Sequence, residues 1–101
     1  MKGYLCAHEF TTLAYFLHKE HKEVGKVKHV LTSVLNIFTI MPLHDAILRD
    51  SLNSPIGDFE DAVIEVSSMA EKVDCIITRN MSDFKASRVK ALTPTEFLDM
   101  F

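Results

Sequence analysis

The chain has 101 residues, 48% of them hydrophobic and 25% charged, with a formal net charge of −3 at pH 7. This is the composition of one soluble globular domain spanning 1–101, and it excludes a disordered or low-complexity chain. No apolar run approaches the roughly 18 residues of a membrane span, and the mild acidity disfavours indiscriminate nucleic-acid binding without excluding a local basic patch. Met1 to Cys6 reads as too short for a signal peptide before polar residues begin. Cys6 and Cys75 both sit in apolar, strand-like runs, where a cysteine is more often a buried small hydrophobe than half of a disulfide. A cytoplasmic protein is the expectation.

Residues 3–6 read as a short strand. Phe10, Leu13, Ala14 and Leu17 then recur at the spacing of an amphipathic helix, with Tyr15 and Phe16 read as core rather than base-stacking residues. After a polar break around His21, the stripe Val24, Val27, Val30 or Leu31, and Val34 predicts a second helix. Ile37–Ile40 is apolar, β-branched and closed by Met41-Pro42, which predicts a strand. A short helix opens at Leu43, Ala46 and Ile47 and stops near Asn53 to Gly57. The clearest helix covers Asp58–Lys72, with Phe59, Ala62, Val63, Val66, Met69 or Ala70, and Val73 as its buried stripe. Cys75–Thr78 and Val89–Leu92 predict two further strands. Thr93-Pro94-Thr95-Glu96 is a capping box with proline at the first helical position, so a last short helix starts there. Short strands alternating with helices imply an α/β domain with a parallel sheet. With three glycines and no GxGxxG or P-loop, a dinucleotide or P-loop site is disfavoured.

In open parallel sheets, ligands gather at the carboxyl ends of strands. The polar run Thr78-Arg79-Asn80-Met81-Ser82-Asp83 follows a predicted buried strand and belongs there. A second acidic group is Asp58, Glu60 and Asp61; Asp58, Asp61 and Glu65 share one helix face, read as opposite the apolar stripe. Carboxylates converging with an asparagine suit a hard divalent cation such as Mg2+ or Mn2+, which polarises a phosphodiester and activates water. The same residues also read as plain helix chemistry: Asp58 as an N-cap, Asp61 at the third helical position, and Asp83 as a turn cap. Two segments are locally basic, His18–His29 with Lys19, Lys22, Lys26 and Lys28, and the stretch after Thr78 with Arg79, Lys85, Arg88 and Lys90. Both read either as solvated faces or as phosphate contacts. His18 and His21 lie at a charged helix end without a cysteine nearby, so zinc is disfavoured.

The segment Asp58-Phe59-Glu60-Asp61-Ala62 resembles the DFEDA of one branch of the PIN-domain family. Asp74-Cys75-Ile76-Ile77-Thr78-Arg79-Asn80-Met81-Ser82-Asp83-Phe84 is similar to that branch's D-x-I-[IV]-T-R-N-x-x-D-F. Thr93-Pro94-Thr95-Glu96-Phe97-Leu98 resembles its closing TP-x-EFL, and Ala7-His8 with Thr11, Thr12 and Tyr15 resembles its first helix. Order and spacing agree over essentially the whole chain.

The resemblance implies a three-layer α/β/α fold with a short parallel sheet. It also implies a metal-dependent ribonuclease, often the toxin of a VapC-type toxin–antitoxin pair, acting on single-stranded RNA with Mg2+ or Mn2+. Matched by position, Asp61 and Asp83 are the main metal ligands and catalytic acids, and Asn80 and Asp58 assist them. Thr78 and Arg79 position the site or contact phosphate, and His8 lies near enough to touch RNA. An antitoxin protein and a homodimer are the implied partners. Two departures stand against this pattern. The family's first strand, ending in Asp-Thr-Asn, is expected to be absent, with the sheet then closed by direct strand pairing or by exchange with a second copy. The family's second acid falls near Thr12 or Leu13, leaving Glu9, one turn earlier, either as a substitute acid or as a residue favouring the helix N-terminus. The competing expectation is a catalytically inactive PIN domain that serves as a dimeric binding or interaction module.

Overall fold

The computed structural model describes residues 1–100. It is mixed α/β, and it divides into two compact units, Met1–Leu43 and His44 onward.

The first unit is a strand–helix–helix–strand unit. Strand β1 (Gly3–Cys6) leads directly into α1 (Ala7–Glu20); α2 (Val24–Ile37) follows and runs into β2 (Phe38–Met41). The strands pair in parallel, Gly3 opposite Phe38 through Cys6 opposite Met41, and the two helices supply the long crossover that parallel pairing demands. Gly3 is required by its neighbour. A Cβ there would lie 2.7 Å from the Phe38 ring, so only glycine admits this approach without displacing it. α1 begins where Glu9 Oε1 accepts the Cys6 backbone N–H at 2.8 Å, which satisfies one of the donors a helix start leaves open. Cys6, Val27 and Met41 are the buried hydrophobic residues here. The expected apolar stripe of α1 is half-covered and none of its residues is buried. Tyr15 and Phe16 are corrected outright: they stack edge to face at 5.4 Å but are 62% and 55% exposed rather than in the core.

In the second unit, α3 (Asp45–Ser51) packs on α4 (Phe59–Ala70). Strand β3 (Ile76–Ile77), a 3-10 turn (Met81–Phe84), β4 (Ala91–Leu92) and α5 (Pro94–Leu98) complete it. β3 and β4 are also parallel, Ile76 opposite Ala91 and Ile77 opposite Leu92, with Ile76 N–H donating to Lys90 O and Thr78 N–H to Leu92 O. Ile56, Ala62, Ile76 and Phe84 form one buried cluster, with Ile64, Val89 and Ala91 packed against it. α5 starts with the capping box read from the sequence: Thr93 Oγ1 accepts from Glu96 N–H and Glu96 Oε1 accepts from Thr93 N–H.

The expected α/β class with parallel strand pairing is what the chain forms, but the pairing is divided between two two-stranded sheets rather than in the one short parallel sheet expected. Neither Cys6, which is buried, nor Cys75, which is half-buried, is in a disulfide. No helix among the described residues is long and apolar enough to cross a membrane.

Candidate metal and nucleic-acid site

The acidic start of α4 serves the helix first. Asp58 is the N-cap, and its Oδ1 accepts the Asp61 backbone N–H at 3.0 Å. One oxygen of Asp58 is therefore committed to a cap. Asp61 stands at the third helical position, half-buried, where the helix dipole favours a carboxylate. Asp83 behaves differently. It lies exposed in the 3-10 turn, its backbone N–H bonds to Asn80 O, and its carboxylate makes no hydrogen bond or ion pair with the described residues. Asn80 is the N-cap of that turn through its backbone carbonyl, and its side chain makes no cap hydrogen bond. Its backbone N–H instead donates to Thr78 Oγ1 at 3.0 Å, so Thr78 fixes the path of the chain as it leaves β3. Arg79 is exposed in the same stretch.

Four of these residues, Asp58, Asp61, Thr78 and Asp83, lie within two positions of a residue of the second unit's buried cluster. Asp61 immediately precedes Ala62, Asp83 immediately precedes Phe84, Asp58 follows Ile56 by two residues, and Thr78 follows Ile76 by two. All four neighbours belong to the one buried cluster. All four positions lie in the second unit, with Thr78 and Asp83 following β3.

Glu9 and His8 belong to the first unit. The Glu9 carboxylate is engaged in the α1 cap. His8 Nδ1 is buried with no hydrogen-bond partner among the described residues.

Glu65 departs from the sequence reading. Although it shares a helical face with Asp58 and Asp61, it is 0% exposed. Its oxygens accept from Ser54 Oγ at 2.7 Å, Arg88 N–H at 2.7 Å and the Arg88 guanidinium at 2.8 Å. Burial pushes this carboxyl up, but the Arg88 side chain, the Arg88 backbone and Ser54 together hold it below its ordinary value. Such a saturated carboxylate is a structural anchor, not a free ligand. No local pattern announces it, because Arg88 lies 23 residues downstream.

Within neither unit do three or more described His, Cys, Asp or Glu side chains converge as a ready-made metal cage. The donor chemistry fits a less enclosed arrangement. Mg2+ commonly takes one or two protein carboxylates and completes its octahedron with water and substrate phosphate oxygens, and the carboxylates of Asp83 and Asp61 are oxygen donors of that type.

No curated protein and no solved structure matches the chain. A family comparison does: residues 1–82 match the PIN domain. The match includes Asp58, Asp61 and the Thr78-Arg79-Asn80 run and stops one residue before Asp83. PIN domains are typically nucleases and usually bind divalent metal ions. The mixed α/β fold with short parallel sheets agrees with that match, and the chain belongs to the PIN-domain family.

Proposed function

We propose that the chain is a divalent-metal-dependent ribonuclease of the VapC toxin type, acting on single-stranded RNA. Asp61 and Asp83 hold Mg2+ or Mn2+, assisted by Asn80 and Asp58, while Thr78 and Arg79 position the site and contact phosphate. The observation that supports this reading is Asp83, exposed in the turn that follows β3 with a carboxylate that has no hydrogen-bond or ion-pair partner among the described residues, in a chain that matches the PIN domain. When bound, the metal supplies polarisation of the scissile phosphodiester and activation of water. The chain's own residues supply the carboxylates, the guanidinium of Arg79 and the turn that holds them in register. A homodimer and an antitoxin protein are the partners this reading implies.

The test is cleavage of mixed-sequence single-stranded RNA in Mn2+. Asp61→Asn is expected to lower the rate at least about a hundredfold, or about 2.7 kcal/mol of barrier. Equal cleavage by the variant and the parent chain would overturn the assignment.

One observation favours a second reading, a binding module that does not cut. Among the described residues no group of three or more acids converges to hold a metal, and each missing carboxylate weakens the hold on a divalent ion. Calorimetry separates the two readings. The ribonuclease binds Mn2+ in an Asp61-dependent way, whereas the binding module shows no saturable uptake.

A further inference from the structure

An open pocket of about 560 Å³ lies between the 3-10 turn Met81–Phe84 and β4. Lys85, Lys90 and Ser82 line it together with the apolar Met81 and Val89. No acidic side chain among the described residues lines it. Among the described residues neither lysine has a carboxylate within ion-pair distance, the three pairs present being Lys26–Glu23, Arg49–Asp45 and Arg88–Glu65. Glu96 feels the charge of Lys90 only at longer range. In a chain of net charge −3, this makes a local concentration of unpaired positive charge inside a concavity of ligand-binding size.

We propose that this pocket is a phosphodiester-binding subsite for single-stranded RNA, with Lys85 and Lys90 as its cationic pair and Ser82 as a hydroxyl donor. The proposal rests on the nucleic-acid reading of the neighbouring turn. Its physical motive is electrostatic. Asp58, Glu60, Asp61 and Asp83 repel a polyanion, so a strand reaching those carboxylates needs cations beside them. The pocket begins at Met81 and Ser82, in the same turn that carries Asp83, and so provides that charge next to the candidate acids. The apolar wall accepts the sugar and base, while the lysines neutralise phosphate without reading sequence.

The test is fluorescence anisotropy with a fluorescein-labelled, mixed-sequence single-stranded RNA in EDTA, over a series of salt concentrations. K85A/K90A is expected to weaken binding about tenfold or more and to make the slope of log K against log salt shallower by about 0.7 for each phosphate no longer neutralised. K19A/K28A removes the same charge from exposed positions in the first unit and is expected to change affinity less than about twofold, an electrostatic control. Both pairs are exposed, so the fold survives either change, as circular dichroism will show. An unchanged K85A/K90A, an equal loss in both double variants, or no RNA binding by the parent chain would each overturn the subsite. The nuclease reading fails separately. A chain that binds RNA through these lysines but never cuts in Mn2+ sinks that reading and leaves the pocket standing, and a chain that cuts but ignores K85A/K90A does the reverse.

Discussion

Glu65 shows how one residue ties the α4 helix to the segment that shapes the pocket. Its buried carboxylate accepts both the backbone N–H and the guanidinium of Arg88, which holds residues 87–89 against α4 just before Lys90 and β4. Breaking a buried pair from one side leaves the other partner's donors unmatched. Arg88 is nearly half exposed, however, so water recovers part of the loss. Glu65→Gln keeps the volume but removes the charge, and at pH 7 it is expected to cost about 2–3 kcal/mol. The pH dependence has a definite sign. The folded-state carboxyl titrates below its ordinary value of 4.5, so its stabilisation is fully present above that pH and is lost as pH falls through the depressed folded value. Urea unfolding between pH 7 and pH 3 should therefore show a shallower acid decline for Glu65→Gln than for the parent chain. Identical acid limbs would show that the carboxylate is not linked to folding.

At the scale of elements, α4 ends in a conformation its sequence does not favour. Lys72 has φ 56°, in the left-handed region. Its N–H bonds to Met69 O and that of Val73 to Ser68 O, the paired bonds of a glycine-type helix stop. A side chain there costs about 1–2 kcal/mol. Lys72→Gly relieves it against a larger unfolded-state entropy, and a net gain of about 0.5–1 kcal/mol in urea unfolding is expected. A loss of stability would mean the lysine side chain makes a compensating contact. The helices and their breaks were otherwise legible in sequence. The polar gap at His21, the Asp58 cap and the Thr93 capping box are local chemistry, each fixed by residues within one turn. The strands were not legible to the same degree. Cys75–Thr78 and Val89–Leu92 were each expected to span four residues, but only Ile76–Ile77 and Ala91–Leu92 pair, because a strand's length is set by a partner elsewhere in the chain. Glu65 was misplaced for the same reason: the helical wheel put it with Asp58 and Asp61, and a distant arginine buried it. Among the candidate acids, Asp58 was legible as a cap, whereas the turn cap expected of Asp83 is not formed.

Across the whole molecule, apolar side chains are covered unevenly. α1 buries none of its residues and α2 buries Val27 alone, although each is fourteen residues long with an apolar stripe. Ile37 is 71% exposed, and Tyr15, Phe16, Val24 and Leu35 are each about half exposed or more. A helix draws most of its stability from packing one face rather than from propensity, and such a concentration of exposed large apolar groups marks an interaction surface. The homodimer proposed above would cover some of these side chains with a second copy, and association would then become part of folding stability. By mass action, the melting temperature of a dimer that is not already saturated rises with protein concentration, while that of a monomer does not. Melting is expected to shift upward between about 1 and 100 µM chain, with light scattering giving twice the monomer mass at the upper end. The double change Tyr15→Lys and Phe16→Lys removes apolar area and places like charges opposite each other across any self-contact, so it should return the monomer and abolish the concentration dependence. A chain that scatters as a monomer throughout, with a constant melting temperature, would show that these helices need no second copy. An equally dimeric Tyr15→Lys/Phe16→Lys variant would move the interface away from α1.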